Sequence, residues 1–412
     1  MMYLLSNYSK IAYCLLFLAV FWLCHAKVDP EIYQTAYEII ESKGYQADEY
    51  VIMSRDGYYL TLHRIRTKNI TQFPNVALLQ HGLLDSAHTW INNLANESLG
   101  FILADAGFDV FLGNSRGSTY SQRHAYLDPN DDEFWAFSWD EMAKYDLPAF
   151  IDFILKETGA RKIYYVGHSQ GAQMALARFN IDAALRDQVA AFAALAPVAH
   201  LGSIRSPVRY IAPFCKSLRT ARYIFGGKGR FLPSNGLIQF LSFFLCGGGQ
   251  NISGNFARFP SSVCENFIFL LSGYNPSNTN VSRLPVYLAH TPADTSIQNM
   301  VHYCQGIWTS RFEALDFGSP AANFAKYNRT TPPPYGLQRS ALNLPTRVYW
   351  GGNDWLSTPR DISGILHEMT SDPKVNDVTD VYLNDYNHLD FVWGLDAALR
   401  VYPDIVDFFK HH

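Results

Sequence analysis

The chain lacks the features that mark nucleic-acid-binding, membrane-spanning and repeat proteins. Its 33 Lys and Arg are outnumbered by 37 Asp and Glu, and the net charge of −4 favours no broad basic surface for nucleic acid. The apolar run at residues 11–23 is shorter than the roughly 20 residues that span a bilayer, and no other run is long enough. No internal repeat or low-complexity tract is visible. The 412 residues can bury a large core, as in an α/β domain that carries an insertion.

The N-terminus predicts entry into the secretory route. Lys10 precedes the apolar run, and the small residue Ala26 stands three residues after it. This pattern is typical of a signal peptide at residues 1–26 with cleavage after Ala26, and a membrane anchor is the alternative. Five sequons fit a glycoprotein of that route; their asparagines are Asn69, Asn96, Asn251, Asn280 and Asn328.

Cysteine is scarce, with six residues in the whole chain. Two of them, Cys14 and Cys24, would leave with the signal peptide. The number of cysteines left in the mature chain is even, which suits an oxidising compartment, and these cysteines allow three full pairings. The remaining cysteines are Cys215, Cys246, Cys264 and Cys304.

One pentapeptide has flanks that predict a nucleophile. Residues 162–166 are apolar and rich in β-branched and aromatic types, which indicates a buried strand. Residues 172–179 are small and favour a helix. Between them lies Gly167-His168-Ser169-Gln170-Gly171. Strand, Gly-x-Ser-x-Gly and helix form the nucleophile elbow of the α/β-hydrolases, so we predict that Ser169 is the nucleophile.

A second pentapeptide, at residues 113–117, also matches Gly-x-Ser-x-Gly and also follows a strand-like run. The residues after it, 118–123, are polar and have no helical apolar stripe. Ser115 would therefore have no helix N-terminus behind it to stabilise developing negative charge. We expect Ser115 to belong to a structural loop.

The acid and the base are predicted near the C-terminus, in the order typical of this fold. The strand-like residues 346–350 lead into a loop that contains Asp354. The strand-like residues 378–383 lead into a loop that contains His388. With Ser169 these residues would lie on loops along one rim of the sheet. A serine needs such a base, and the base needs a carboxylate to orient it.

Other carboxylates and imidazoles are weaker candidates for these roles. Asp385 and Asp390 lie three and two positions from His388 and would be awkward partners for its ring. His367 belongs to a helix-like run and is expected on a solvated face. His168 precedes the nucleophile, and we expect it to pack structurally.

The oxyanion needs two backbone donors in this fold. One is the N–H of Gln170, which follows the predicted nucleophile. The other is expected in the loop at residues 81–86, after the strand-like residues 75–80, with Leu83 as the donor. Each donor contributes roughly 3–4 kcal/mol to transition-state stabilisation. His81, in the same loop, is expected to be structural.

At this point the chain resembles the acid lipases, a family that includes gastric and lysosomal acid lipase. The resemblance runs from about residue 28 to the C-terminus, and the predicted triad and oxyanion donors fall on the family's own positions. It implies hydrolysis of fatty-acyl esters, mainly acylglycerols and in some members sterol esters. The motifs that carry it are residues 80–84, 112–117, 134–142, 145–149, 167–171, 194–199 and 387–391.

The resemblance also implies a disulfide bond between Cys246 and Cys264, because the family pairs two cysteines across its lid. The intervening loop is longer than expected and contains three consecutive glycines at residues 247–249. Whether Cys215 and Cys304 are free thiols stays open.

About 145 residues separate the strand ending near residue 199 from the strand at 346, too many for an ordinary loop. We expect a mainly helical cap at residues 200–345, inserted between hydrolase core segments 27–199 and 346–412. Residues 231–245 are strongly apolar and almost uncharged. They are interpreted either as a buried cap helix or as a lid whose apolar face turns outward at a lipid surface.

Together these features predict a secreted or lysosomal lipase that acts on lipid esters at an emulsion or membrane surface through an acyl-enzyme, without a metal or organic cofactor. A sterol-ester or small-ester hydrolase on the same scaffold is one alternative. A catalytically silent lipid-binding protein is another.

Overall fold

The computed structural model describes residues 29–68, 75–215, 229–231, 268–337, 343–371 and 378–412. Several predicted features lie outside these residues. They are the signal peptide, the sequons at Asn69 and Asn251, the pair Cys246 and Cys264, and all of the apolar stretch after Phe231.

The centre of the molecule is a nine-stranded, mostly parallel sheet. Its path runs β1-β2-β4-β3-β6-β7-β10-β11, and β5 pairs with β2. The pairs of β1 with β2 and of β2 with β4 are antiparallel, whereas neighbours from β4 to β11 run parallel. A second, two-stranded sheet pairs β8 with β9. The strands are β1 Gln46–Met53, β2 Tyr58–Arg66, β3 Asn75–Gln80, β4 Phe108–Gly113, β5 Arg123–His124, β6 Ile163–His168, β7 Val189–Leu195, β8 Arg230–Phe231, β9 Thr295–Ser296, β10 Thr346–Gly351 and β11 Val378–Leu383.

Helices follow most of the strands. The α-helices are α1 Ala36–Ser42, α2 Leu99–Asp105, α3 Trp139–Glu141, α4 Leu147–Thr158, α5 Gln170–Ile181, α6 Ala183–Arg186, α7 Val208–Ile211, α8 Leu284–His290, α9 Ile297–Thr309, α10 Pro320–Tyr327, α11 Pro359–Met369, α12 Asp390–Trp393, α13 Ala397–Arg400 and α14 Tyr402–Lys410. A π-helical turn, Met142–Asp146, joins α3 to α4. Short 3-10 helices cover Pro30–Ile32, Ala87–Trp90, Ala95–Glu97, Asp132–Trp135, Ala212–Cys215, Pro276–Asn278 and Val281–Arg283.

The central strands of the sheet are buried on both faces, because helices pack on each side of them. Strands β4 and β6 are buried at every position, as expected for central parallel strands. One apolar cluster covers one face with side chains of α4, α5 and α11. The other cluster draws on α1, α2 and α14. The predicted α/β class with a mostly parallel sheet is confirmed.

The order of the strands decides where the loops meet. In parallel strands the carboxyl ends lie at one edge of the sheet, and ligands bind there. Strand β3 neighbours β6, so the loop at residues 81–86 begins beside Ser169. Strands β10 and β11 end at Gly351 and Leu383, just before the loops of Asp354 and His388. Sites far apart in the sequence therefore converge on one rim.

The segment between β7 and β10 is mainly helical in its described part and holds α7, α8, α9 and α10. Helix α9 is amphipathic, and side chains of its inner face reach towards α5 at the rim. Within the described residues, no helix combines the length and apolar character needed to cross a membrane.

Candidate active site

Ser169 occupies a strained turn between β6 and α5. Its φ is 53° and its ψ is −113°, a conformation that non-glycine residues seldom adopt. The turn is tight because α5 starts against the end of β3. A Cβ on Gly171 would lie 2.2 Å from the carbonyl oxygen of Gln80, so only glycine fits there. This geometry holds the Ser169 hydroxyl above the carboxyl end of β6.

The structure brings Ser169, His388 and Asp354 together in one line of hydrogen bonds. Nε2 of His388 lies 2.8 Å from Oγ of Ser169. Nδ1 of the same ring lies 2.9 Å from Oδ2 of Asp354. Because the carboxylate can only accept, Nδ1 carries the proton and Nε2 is left to accept from the serine. The arrangement can take a proton from Ser169 without any further group.

Asp354 is fully buried and held by its own loop. Its Oδ1 accepts from the backbone N–H groups of Leu356 and Ser357, at 2.8 and 2.7 Å. Hydrogen bonds to an ionised carboxylate are stronger than neutral ones. They fix the carboxylate so that Oδ2 faces the imidazole.

The two other carboxylates near His388 have different partners. Oδ2 of Asp390 accepts from the backbone N–H of Asn387 at 2.6 Å and from Nδ2 of Asn275 at 2.8 Å. Burial raises the pKa of Asp390 to about 7. Asp385 pairs with Arg400 near the surface, and this hydrogen bond lowers the pKa of Asp385. Asp390 therefore shapes the turn that carries His388, and Asp354 is the carboxylate that contacts the ring.

The loop after β3 runs directly beneath the nucleophile. A Cβ on Gly82 would lie 3.1 Å from Cβ of Ser169, so the backbone of this loop approaches Ser169 closely. Leu83 follows, and the carbonyl oxygen of Leu84 accepts from Ala293 at 2.7 Å. On the other side, Gln170 is the first residue of α5, where the N–H has no acceptor within the helix. Gln170 therefore directly follows Ser169, and Leu83 directly follows the glycine whose backbone approaches Ser169.

The second pentapeptide supports this loop. The backbone N–H of Ser115 donates to Nε2 of His81 at 3.1 Å, and Nδ1 of His81 lies 2.8 Å from the carbonyl oxygen of Gly82. Burial lowers the pKa of His81 to about 4, which keeps the ring neutral and able to accept. Oγ of Ser115 accepts from Nε2 of Gln80 at 2.9 Å. Ser115 is thus tied into the loop that approaches Ser169.

Sequence reasoning missed a polar cluster behind Gln170. Nδ2 of Asn299, on α9, donates to Oε1 of Gln170 at 2.8 Å, and Tyr303 donates to Oε1 of Gln173 at 2.7 Å. Oδ1 of Asn299 accepts from the backbone N–H of Trp139 at 2.8 Å. The separation of 129 positions between Asn299 and Gln170 leaves no local signal that could have revealed the contact.

Ser272 was also missed. Its carbonyl oxygen accepts from the N–H of Trp355 and from the N–H of His388, both at 3.2 Å. One carbonyl thereby links the loop of Asp354 to the loop of His388.

The other predicted residues within the described part lie away from this site. Asn96 and Asn328 are exposed, and Asn280 is half-buried and donates to Oε2 of Glu97 at 3.1 Å. His367 is exposed on α11, as expected. Phe231 packs partly buried against a small apolar cluster that includes Ile297.

A sheet of this order, with a strained serine above β6 and an imidazole between serine and carboxylate, defines an α/β-hydrolase. A family model described as the alpha/beta hydrolase fold matches residues 75–228, and one described as a partial alpha/beta-hydrolase lipase region matches residues 36–94. Among solved structures, a soluble variant of monoglyceride lipase from Saccharomyces cerevisiae has a TM-score of 0.51 at 13% identity, over 87% of this chain and 96% of the other. The alpha/beta hydrolase GrgF from Penicillium has a TM-score of 0.53 at 15% identity, over 89% and 99%. These similarities show the fold.

The chain belongs to the acid lipase family. It is 41% identical to human lysosomal acid lipase/cholesteryl ester hydrolase over 95% of this chain and 97% of the relative. It is 43% identical to human gastric triacylglycerol lipase, over 92% and 91%. Mouse lipase member M is also 43% identical, over 93% and 87%.

Proposed function

We propose that this protein is a lipase that hydrolyses fatty-acyl esters, triacylglycerols among them, by a Ser-His-Asp mechanism. The single observation that carries the proposal is the imidazole of His388, which lies 2.8 Å from Oγ of Ser169 and 2.9 Å from Oδ2 of Asp354. The family supports the substrate class, since relatives over nearly the whole chain are a triacylglycerol lipase and a cholesteryl ester hydrolase.

Acylation begins when Oγ of Ser169 attacks the ester carbonyl and Nε2 of His388 takes its proton. The resulting imidazolium is oriented and stabilised by Asp354. Negative charge moves to the former carbonyl oxygen, where the N–H groups of Leu83 and Gln170 stabilise it. The intermediate then expels the alcohol, which takes the proton from His388 and leaves an acyl-serine.

Deacylation repeats these steps with water in place of Ser169. His388 accepts a proton from the water as the water attacks the acyl carbonyl, and the same two N–H groups stabilise the second oxyanion. Collapse returns the proton to Oγ of Ser169 and releases the fatty acid. In both halves of the reaction His388 accepts and returns the proton, and the two backbone N–H groups stabilise the negative charge.

The substrate is proposed to be a lipid ester at an emulsion or membrane surface, met after export along the secretory route, either outside the cell or in the lysosome. The segment at residues 200–345 would act as the cap over the site. Exposed apolar side chains lie on the part of it that adjoins the site, namely Leu270 and Tyr274, 48% and 58% exposed. They flank Ser272, whose carbonyl contacts the loops of Asp354 and His388. This location supports contact of the rim with lipid.

A sterol-ester hydrolase or a hydrolase of small esters would use the same groups, so the choice among these substrates rests on the acyl and alcohol pockets. A silent lipid-binding protein is disfavoured by the aligned site. Such a protein would have no need to hold Ser169 in a strained conformation within hydrogen-bond distance of His388.

A substrate panel with a covalent probe tests the proposal. The secreted protein and Ser169→Ala would be assayed on triolein emulsion, cholesteryl oleate and a short-chain ester between pH 4 and 8, and labelled with a fluorophosphonate. We expect the label on Ser169 and hydrolysis of triolein that Ser169→Ala abolishes. If only the short-chain ester were hydrolysed, the protein would be a small-ester hydrolase and not a lipase. The absence of both the label and turnover would indicate a lipid-binding protein.

A further inference from the structure

Two cysteine side chains outside the active site lie against each other in the interior. Cys215 ends the 3-10 helix Ala212–Cys215, and Cys304 lies in the middle of α9. Both are buried, and together with Ala212 and Ile307 they form one small apolar cluster. The two thiols lie within hydrogen-bond reach of each other. The two sulfurs therefore face each other across an otherwise apolar contact.

We propose that Cys215 and Cys304 form a disulfide bond in the secreted protein. The pairing rests on the secretory location given under the proposed function, since disulfides persist in oxidising compartments. It does not rest on lipase activity. Of the three possible pairings of Cys215, Cys246, Cys264 and Cys304, only one joins Cys215 to Cys304. That pairing leaves Cys246 for Cys264.

The oxidant for the two thiols is the disulfide of a thiol–disulfide oxidoreductase of the secretory route. The thiolate of Cys215 attacks the oxidant disulfide, forms a mixed disulfide and releases one thiolate of the oxidant. The thiolate of Cys304 then attacks the sulfur of Cys215 and releases the second. Two S–H bonds and the oxidant S–S bond break, one protein S–S bond forms, and the two protons and two electrons end on the oxidant thiols. Because both sulfurs are buried in the folded chain, the reaction precedes final packing of α9.

The bond would join the two sides of the active-site rim. Upstream of Cys215, the N–H groups of Arg205 and Ser206 donate to the carbonyl oxygen of Trp355, at 2.8 and 3.1 Å. Trp355 is the neighbour of Asp354. Downstream, α9 carries Asn299 and Tyr303, whose side chains donate to Gln170 and Gln173. A covalent link between Cys215 and Cys304 therefore ties the helix behind Gln170 to a segment hydrogen-bonded beside Asp354.

Peptide mapping of the wild-type secreted protein tests the bond directly. The denatured protein would be alkylated without reductant, digested and analysed by mass spectrometry, then compared with a sample reduced before alkylation. We expect a cross-linked pair containing Cys215 and Cys304 that is about 2 Da lighter than the two thiol peptides together and separates on reduction. Alkylated Cys215 and Cys304 in the unreduced sample would overturn the proposal, as would a cross-link from either residue to Cys246 or Cys264.

A thermal measurement gives a second readout. In a Cys246→Ala, Cys264→Ala background, reductant should lower the melting temperature, and a further Cys215→Ala, Cys304→Ala change should remove that sensitivity. A melting temperature that reductant leaves unchanged in that background would contradict the bond. Both readouts are independent of turnover. A catalytically silent protein with the cross-link would refute the lipase alone, and an active lipase without it would refute the disulfide alone.

Discussion

The imidazole of His168 lies against the backbone of His388, with Nε2 at 2.9 Å from the carbonyl oxygen. Since a carbonyl only accepts, Nε2 of His168 donates this bond. Burial and the neighbouring His388 lower the pKa of His168 to about 3, so the ring stays neutral in mildly acidic solution. The residue before the candidate nucleophile therefore positions the candidate base. From the sequence, His168 was expected only to pack.

Replacing His168 with alanine should lower kcat, because His388 loses one of the hydrogen bonds that hold its backbone. Displacement of a catalytic group by about 1 Å can lower the rate roughly 100-fold, and we expect a loss of roughly 10- to 100-fold with little change in KM. His168→Gln, which keeps a donor at the ε position, should recover part of it. The control is His367→Ala, exposed on α11. Steady-state kinetics on a short-chain ester that show full kcat in His168→Ala would contradict the positioning role.

The two pentapeptides predict opposite outcomes. Ser169→Ala should lower kcat by roughly 10⁶, as for loss of a nucleophile in a serine hydrolase, and should leave the melting temperature close to that of the wild type. Ser115→Ala should keep most of the activity. It removes the acceptor of the Gln80 amide, which costs about 1–3 kcal/mol in the free energy of unfolding. If Ser115→Ala were the inactive variant, the choice of nucleophile would be wrong.

Asp354→Asn should lower kcat roughly 10⁴-fold, because an amide that donates to Nδ1 stabilises the wrong tautomer of His388. The matched control is Asp390→Asn, two residues beyond the base. Its amide oxygen can still accept from the N–H of Asn387, so kcat should change little. Rates for both variants on a soluble ester distinguish the two carboxylates, and a larger loss in Asp390→Asn would reassign the acid.

The pH dependence of stability should differ between wild type and Asp390→Asn. Burial raises the pKa of Asp390 from 3.8 to about 7, so the folded state binds this proton more tightly than the unfolded state. The stabilisation is complete below pH 3.8 and is lost as the pH rises to about 7. Urea unfolding should therefore show the wild type losing at most about 4 kcal/mol relative to the variant across this window. Asp385→Asn serves as a control, because the pKa of Asp385 is lowered and the sign reverses. Parallel curves for wild type and Asp390→Asn would refute the prediction.

Asn299→Ala should lower both stability and kcat. It leaves the buried N–H of Trp139 without its acceptor, which costs about 1–3 kcal/mol. It also removes one of the hydrogen bonds that hold the side chain of Gln170. The matched control is Asn323→Ala on α10. Asn323 is also buried, and its Oδ1 accepts from the N–H of Phe317 at 2.9 Å, far along the chain from Gln170. Melting temperatures measure the loss of stability in each variant, and kcat shows whether Asn299 also supports the active site. Equal kcat in the two variants would reduce Asn299 to a purely structural role.

The sequence predicted the local framework of the site closely. The strand expected at residues 162–166 is observed as Ile163–His168, and the one expected at 378–383 is Val378–Leu383. Short apolar runs define buried strands, and the small side chains around Ser169 define the elbow, because both depend on neighbours within a few residues. The loop that approaches the serine could be predicted for the same reason, from one strand and a following His-Gly pair.

The contacts across the rim depended on tertiary structure. The order β6-β7-β10-β11 brings the loops of Asp354 and His388 beside Ser169, and side-chain geometry then selects Asp354 over Asp390 as the partner of the ring. His168, Ser272 and Asn299 were not predicted to support the site. Each contacts the site through a small number of hydrogen bonds to residues that are distant in the sequence. Such bonds depend on angles and distances that no sequence periodicity encodes. Local conformation follows from neighbouring residues, but the choice of partners follows from how the sheet and the helices above it pack.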